Sequence, residues 1–268
     1  MKRIIAAIAL SAFALPIAAL ADTQITAVGS TALLPLVKQS ATDYSSAHGD
    51  VKISVSGGGS YVGIAQASSG AADMGDSDVV APGNAGLVDH KVAVVPFVIA
   101  VNPSAGVSNL SAKQIRDIFA GRITNWNQVG GKDQQIVVIN RPRTSGTRAV
   151  FNATIMGISR IAETGLTEDS SGAVITMVET TPGAVTYVAR GYTKDKPVTV
   201  VKINGVAASD ANIQTGKYPI WSYEHIFTKG QAKPEVEAFI HYIATNNDVL
   251  VKLGYLPISS MKVKESNR

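Results

Sequence analysis

Three segments of this 268-residue chain share one plan. Each closes a short run of strand-forming residues, passes through small residues, and opens a stretch with helical spacing. They are Gly29-Ser30-Thr31, Gly57-Gly58-Gly59-Ser60 and Thr144-Ser145-Gly146-Thr147. Ile25 to Val28 reads as a strand, and Leu33, Leu36, Val37, Ala41 and Tyr44 recur after it at helical spacing. Val51 to Val55 alternates as a strand does and runs into the glycines, after which a second helix reaches about Ser69. Asp73 to Asp78 reads as a short strand and turn, and Val92 to Val101 as a buried central strand. Strands alternating with helices give an α/β sheet with helices on its faces.

A second α/β unit begins near Asn102-Pro103. Ser111 to Ala120 reads as a helix capped by Ser111 and ended at Gly121. Ile136 to Asn140 is a strand leading into the loop Arg141 to Thr147, with a helix starting near Ser145. Val174 to Glu179 reads as a helix, Ala184 to Val188 and Tyr218 to Phe227 as strands, and Pro234 to Ala244 as an amphipathic helix. There is no repeat and no low-complexity linker, so two domains would be joined by strands rather than by a tether.

Hydrophobic residues make up 46% of the chain and charged residues 16%, enough apolar surface for a sizeable core. Residues 1–21 have the form of a secretory signal peptide. Lys2 and Arg3 precede the apolar stretch Ile4 to Leu15, and Ala19-Leu20-Ala21 supplies the small residues before a cut ahead of Asp22. The formal charge of +4 falls to +2 without Lys2 and Arg3, which gives no reason to expect nucleic acid as a partner. With no cysteine, disulfides, thiolate chemistry and a lipidated N-terminal cysteine are excluded. A cleaved signal with no lipid tether fits a Gram-negative periplasm. His48, His90, His225 and His241 stand in no metal-binding spacing and read as ordinary surface or loop residues, so no metal and no cofactor is expected.

The first turn of a helix carries N–H groups without intrahelical partners and a partial positive charge. Small residues let an anion approach that backbone, and hydroxyls add donors. Serine and threonine are also ordinary N-caps, and glycine turns are common. The pattern alone leaves a shared oxyanion site and three unrelated caps equally open.

Four stretches go further: AVGSTALLPLV at 27–37, SGGGSYVGIAQASSGAADMGDSD at 56–78, LSAKQIRDIFAGRITNW at 110–126 and INRPRTSGTRAVF at 139–151. In these the chain resembles the phosphate-binding proteins of bacterial high-affinity phosphate ABC transporters. The resemblance implies a type II periplasmic-binding-protein fold, with two α/β domains joined by two crossover strands and the ligand in the cleft between them. The expected division is residues 22–98 with 222–268, and 99–221. The apolar stretches at 92–101 and 218–227 should then lie side by side.

By position, the resemblance places Thr31, the Ala32 backbone N–H, Ser60 and Asp78 on phosphate from the first domain, and Arg141, Ser145, the Gly146 N–H and Thr147 from the second. The family's acidic partner for the arginine stands two positions later, where this chain has Arg143. Inorganic phosphate and the transmembrane permease subunits of an ABC transporter are the implied partners of a monomeric protein. Arg148, Trp126 and Trp221 read as structural residues, and Asp73 and Asp76 as surface or capping carboxylates.

A carboxylate in an anion site makes sense if the ligand carries a proton. HPO₄²⁻ and H₂PO₄⁻ can donate a hydrogen bond to an ionised Asp78. Sulfate at neutral pH cannot, and would leave Asp78 facing negative charge. Rival functions are weaker. Ser60 and Ser145 lack the Gly-x-Ser-x-Gly elbow, and there is no phosphate-loop lysine motif, so an enzyme is not expected. A binder of another tetrahedral oxyanion, or a secreted phosphate binder used for sensing or scavenging, would share this site.

Overall fold

The computed structural model describes residues 23–83 and 86–263. The expected signal peptide lies outside the described residues. The first unit runs β1 (Thr23–Gly29), α1 (Leu34–Ala47), β2 (Val51–Ser56), α2 (Ser60–Ser69), β3 (Met74–Ser77) and the long β4 (Leu87–Val101). There follow β5 (Asn109–Leu110), α3 (Ala112–Phe119), β6 (Val137–Asn140), α4 (Gly146–Phe151) and β7 (Leu166–Thr167). After these come α5 (Ser171–Thr180), β8 (Ala184–Ala189), β9 (Thr199–Ile203) and α6 (Asp210–Gln214). The chain closes with β10 (Trp221–Lys229), α7 (Pro234–Thr245) and α8 (Asn247–Lys252).

Among the described residues the strands form one sheet in the order β2-β1-β3-β10-β4-β8-β6-β7, with β9 pairing β4 and β5 pairing β9. β1, β2 and β3 are parallel, and so are β6, β7 and β8. β4 and β10 join the two parallel groups. β4 pairs antiparallel with β10 through Leu87 to Pro96, then with β8 through Phe97 to Val101. The Phe97 N–H donates to the Ile220 carbonyl at 3.0 Å, so the stretches 92–101 and 218–227 run side by side. Val92 to Val101 is buried at every position, as a strand covered on both faces requires.

Helix faces follow the sequence periodicity. Leu36, Val37, Ala41 and Tyr44 of α1 are buried, and α7 buries Val236, Phe239, Ile240 and Ile243. Ser111 caps α3 in a reciprocal box with Gln114. Phe151 stacks on Tyr187 at 4.2 Å between ring centroids, with Phe119 against both. That cluster anchors the end of β6: the Tyr187 hydroxyl donates to Asn140 Oδ1, which also accepts the Arg141 N–H at 2.9 Å. Arg141 therefore leaves the strand from a fixed point.

Two polar residues lie elsewhere than their sequence context suggests. Asp76 is not a surface carboxylate but is fully buried. His225 is not a surface residue either. It is buried in β10, with Nδ1 2.8 Å from Asp89 Oδ1 and its ring stacked on Phe227. Both lie on interior strands of the sheet, where the faces are covered.

Candidate functional site

The three turns singled out in the sequence converge. Thr31, Ala32, Ser60, Asp78, Arg141, Ser145 and Thr147 are each at most 5% exposed, and Gly146 is buried among them. They gather where the turn after β1, the start of α2 and the end of β3 meet the loop after β6.

Glycine makes the first approach possible. Gly29 has φ of 147°, and a Cβ there would stand 2.1 Å from the Asp76 carbonyl oxygen. In the next turn, Ser30 Oγ accepts the N–H groups of Ala32 and Leu33 at 3.0 and 3.1 Å and donates to Asp78 Oδ1. The Ala32 N–H, implied to face a ligand, is thus engaged by Ser30. Ser60 Oγ accepts the Asp78 N–H at 2.9 Å, and Ser145 Oγ accepts the Arg148 N–H at 3.2 Å. These two hydroxyls hold the turns in shape.

Contacts then cross between the halves. Thr147 Oγ1 donates to Asp78 Oδ2 at 2.7 Å, and Arg141 Nη2 donates to Thr31 Oγ1 at 3.0 Å. The Tyr192 hydroxyl donates to the Thr31 carbonyl at 2.6 Å. Gly146 packs directly on Ser60 and Asp78: a Cβ at Gly146 would lie 2.7 Å from Ser60 Cβ and 2.9 Å from Asp78 Cβ. Neither of those atoms can rotate away. Gly146→Ala is therefore expected to wedge the halves apart and weaken anion binding at least about tenfold, since misplacing a constellation by about 1 Å costs that much or more. Titration calorimetry checks this, and an affinity within twofold of wild type would show that the close packing is dispensable.

Arg141 is 1% exposed. Its Nε donates to the Glu168 carbonyl at 3.1 Å, Nη2 to the Asp169 carbonyl at 3.0 Å, and Nη1 to Ser171 Oγ at 3.3 Å. Backbone carbonyls hold the guanidinium, where the resemblance implied an acidic side chain at position 143. Arg143 instead lies on the surface, 3.7 Å from Glu163, beside a cavity of about 660 Å³ that Tyr61, Arg148 and Arg160 also line. Arg148 Nη1 donates to the Arg141 carbonyl at 2.6 Å, which fits its structural reading.

Ser171, which the sequence reading passed over, also lies at this junction. Its N–H donates to Thr31 Oγ1 at 3.1 Å, its hydroxyl lies 3.2 Å from the same atom, and it opens the ten-residue α5. Ser170-Ser171-Gly172 repeats the small-residue, helix-opening plan of the other turns, and that signal could have revealed it.

The charges are unusual. Burial pushes the Asp78 carboxyl up, while the hydroxyls of Ser30 and Thr147 and the Arg141 guanidinium pull it back. Burial, with Asp78 adding to it, raises Asp76 well above the ordinary carboxylate range. Burial, Asp78 and Asp76 do the same to Glu224 of β10. Folded Asp76 and Glu224 therefore keep protons that the unfolded chain has already released, so the unfolded state binds fewer protons. Stability is then expected to fall as pH rises above the unfolded values near 4, by about 1.4 kcal/mol per pH unit for each such group until its folded pKa is passed. Urea unfolding at pH 5 and pH 7 measures this. Equal or greater stability at pH 7 would mean that the groups ionise in the folded state.

Comparison with known proteins gives a consistent picture. Residues 16–247 match the family model of the PBP superfamily domain. The chain is 42% identical to the phosphate-binding protein PstS of Bacillus subtilis (strain 168) over 251 residues, which is 91% of this chain and 83% of that relative. Among solved structures, a phosphate-bound substrate-binding protein assigned to a phosphate ABC transporter of Clostridium perfringens superposes with a TM-score of 0.84 at 27% identity, covering 88% of this chain and all of the other. An ABC-type phosphate transport receptor from Vibrio cholerae superposes with a TM-score of 0.70 at 29% identity, covering 87% and 99%.

Proposed function

The chain belongs to the phosphate-binding proteins of the PBP superfamily, and on that premise we propose that it binds inorganic phosphate between its two halves and delivers it to the permease of an ABC transporter. One observation carries the reading. Asp78, 1% exposed, stands among hydroxyl donors and beside Arg141 at the junction of the turns. A carboxylate among so many donors suits a tetrahedral anion that brings its own proton.

In this reading Thr31 and Ser60 act with Asp78 from one side, where the Ala32 N–H braces the turn against Ser30 Oγ, and Arg141, Ser145, Gly146 and Thr147 act from the other. Ser171 joins them by sharing Thr31 and Arg141. Residues 22–98 with 222–268 form one domain and 99–221 the other, and bending where β4 changes partners between Pro96 and Phe97 opens the cleft. The protein acts as a monomeric binder rather than an enzyme, as its substrate-binding relatives do, with the Ser60 and Ser145 hydroxyls also accepting backbone N–H groups that brace their turns. It works in the periplasm after removal of residues 1–21. Among the described residues, no helix is long and apolar enough to cross a membrane. Titration calorimetry tests the reading directly: phosphate and arsenate should bind and compete, and sulfate should not. Equal binding of phosphate and sulfate would sink it.

A further inference from the structure

Three carboxyl groups share one buried face of the sheet. β3 and β10 pair antiparallel with Ile226 opposite Asp76 and His225 opposite Ser77. One step further, that register sets Glu224 opposite Asp78, on the face that Asp76 also uses. Asp76, Asp78 and Glu224 are each at most 1% exposed. The ladder between β10 and β4 shifts register at Glu224/His225, where β4 carries the extra residue Val92.

Their surroundings differ. Asp78 accepts from Ser30 and Thr147 and has Arg141 near it. Among the described residues, no N–H or O–H donor reaches either oxygen of Glu224 or of Asp76. The tyrosines near Glu224 are already committed, Tyr192 to the Thr31 carbonyl and Tyr255 to the Ala32 carbonyl. His225 lies on the opposite face of β10, engaged with Asp89. On β4, Ala93 stands opposite Glu224, and Lys91 reaches over the Tyr223 ring at 4.4 Å. Two adjoining buried carboxyls cannot both ionise, and the charge goes to the one with donors.

We propose that Glu224 is the positioning residue for Asp78: a neutral carboxylic acid whose O–H hydrogen-bonds the Asp78 carboxylate and keeps it an acceptor. The proton stays on Glu224, and no covalent bond is made or broken in binding. The inference rests on the reading that Asp78 meets the ligand's proton. Without a donor at position 224, the buried Asp78 would take up a proton itself. It would then become a donor, which sulfate satisfies as well as phosphate. With Glu224 ionised, a second negative charge would face the anion. The selectivity of the site thus depends on a residue that need not touch the ligand.

Infrared spectroscopy and paired titrations test this. At neutral pH the wild-type protein should show a carboxylic-acid C=O stretch that shifts in D₂O and is missing from Glu224→Gln. The amide of Glu224→Gln still donates, so its phosphate-to-sulfate affinity ratio should remain within about twofold of wild type. Glu224→Leu cannot donate, and its ratio should fall at least about tenfold. An infrared spectrum with no such band lost in Glu224→Gln, or an unchanged ratio in Glu224→Leu, overturns the proposal. Should Glu224→Leu fail to fold, the infrared comparison still decides. A wild-type protein that ignores phosphate would defeat the functional reading, whereas phosphate binding without the lost band defeats only this inference.

Discussion

Replacing Asp78 with asparagine is expected to erase most of the preference for phosphate over sulfate. The rest of the site offers mainly donors: the Arg141 guanidinium, the hydroxyls of Thr31, Thr147 and Ser171, and the N–H groups of helix starts. Donors alone treat two tetrahedral oxyanions nearly alike. Discrimination has to come from an acceptor that only a protonated ligand can satisfy. A site built to pair one hydrogen bond can reject a ligand lacking it by about 10⁴–10⁵. Asparagine keeps the size, loses the charge, and can turn an amide N–H toward the ligand. Sulfate affinity should then rise relative to phosphate by a large part of that factor. Arsenate, with the same shape and proton, should follow phosphate in both proteins. The measurement is calorimetry of wild type and Asp78→Asn against the three anions at pH 7. An unchanged phosphate-to-sulfate ratio would remove Asp78 from the proton-sensing role.

The second large effect concerns Arg141. Arg141→Ala is expected to weaken phosphate binding at least about tenfold, since one charge-assisted hydrogen bond contributes roughly 1.5–3 kcal/mol and a forked pair more. The guanidinium is held by the carbonyls of Glu168 and Asp169, so its orientation is set before any ligand arrives. Pre-set geometry lowers the ordering cost of binding. Arg143→Ala removes only an exposed side chain that faces Glu163, and pairs of that kind contribute about 0–1 kcal/mol. Its affinity should stay within about threefold of wild type at moderate ionic strength. Equal or reversed losses in parallel titrations would transfer the anion-binding role to Arg143. Lysine at position 141 would be a poor rescue, because a point charge does not reproduce the planar fork.

Local rules in the sequence determined much of the fold. Alternation and helical spacing marked the main strands and helices, because those periods record which face is buried. The Ser111 cap was legible because capping acts within one turn. Each Gly/Ser/Thr turn was legible for the same reason, whereas the phosphate chemistry assigned to the turns came from family resemblance. The tertiary structure decided what depends on pairing between distant segments. Asp76 looked like a surface carboxylate because β3 is short and polar, and burial comes from α2 and β10 packing on it. Glu224 was invisible as a partner of Asp78, since only the β10–β3 register brings them together. Ser171 and the carbonyls that orient Arg141 belong to a segment whose own residues say nothing of position 141. Sequence fixes period, cap and turn through contacts between near neighbours. Register, burial of charge and the meeting of helix starts come from long-range packing, and only the folded chain contains them.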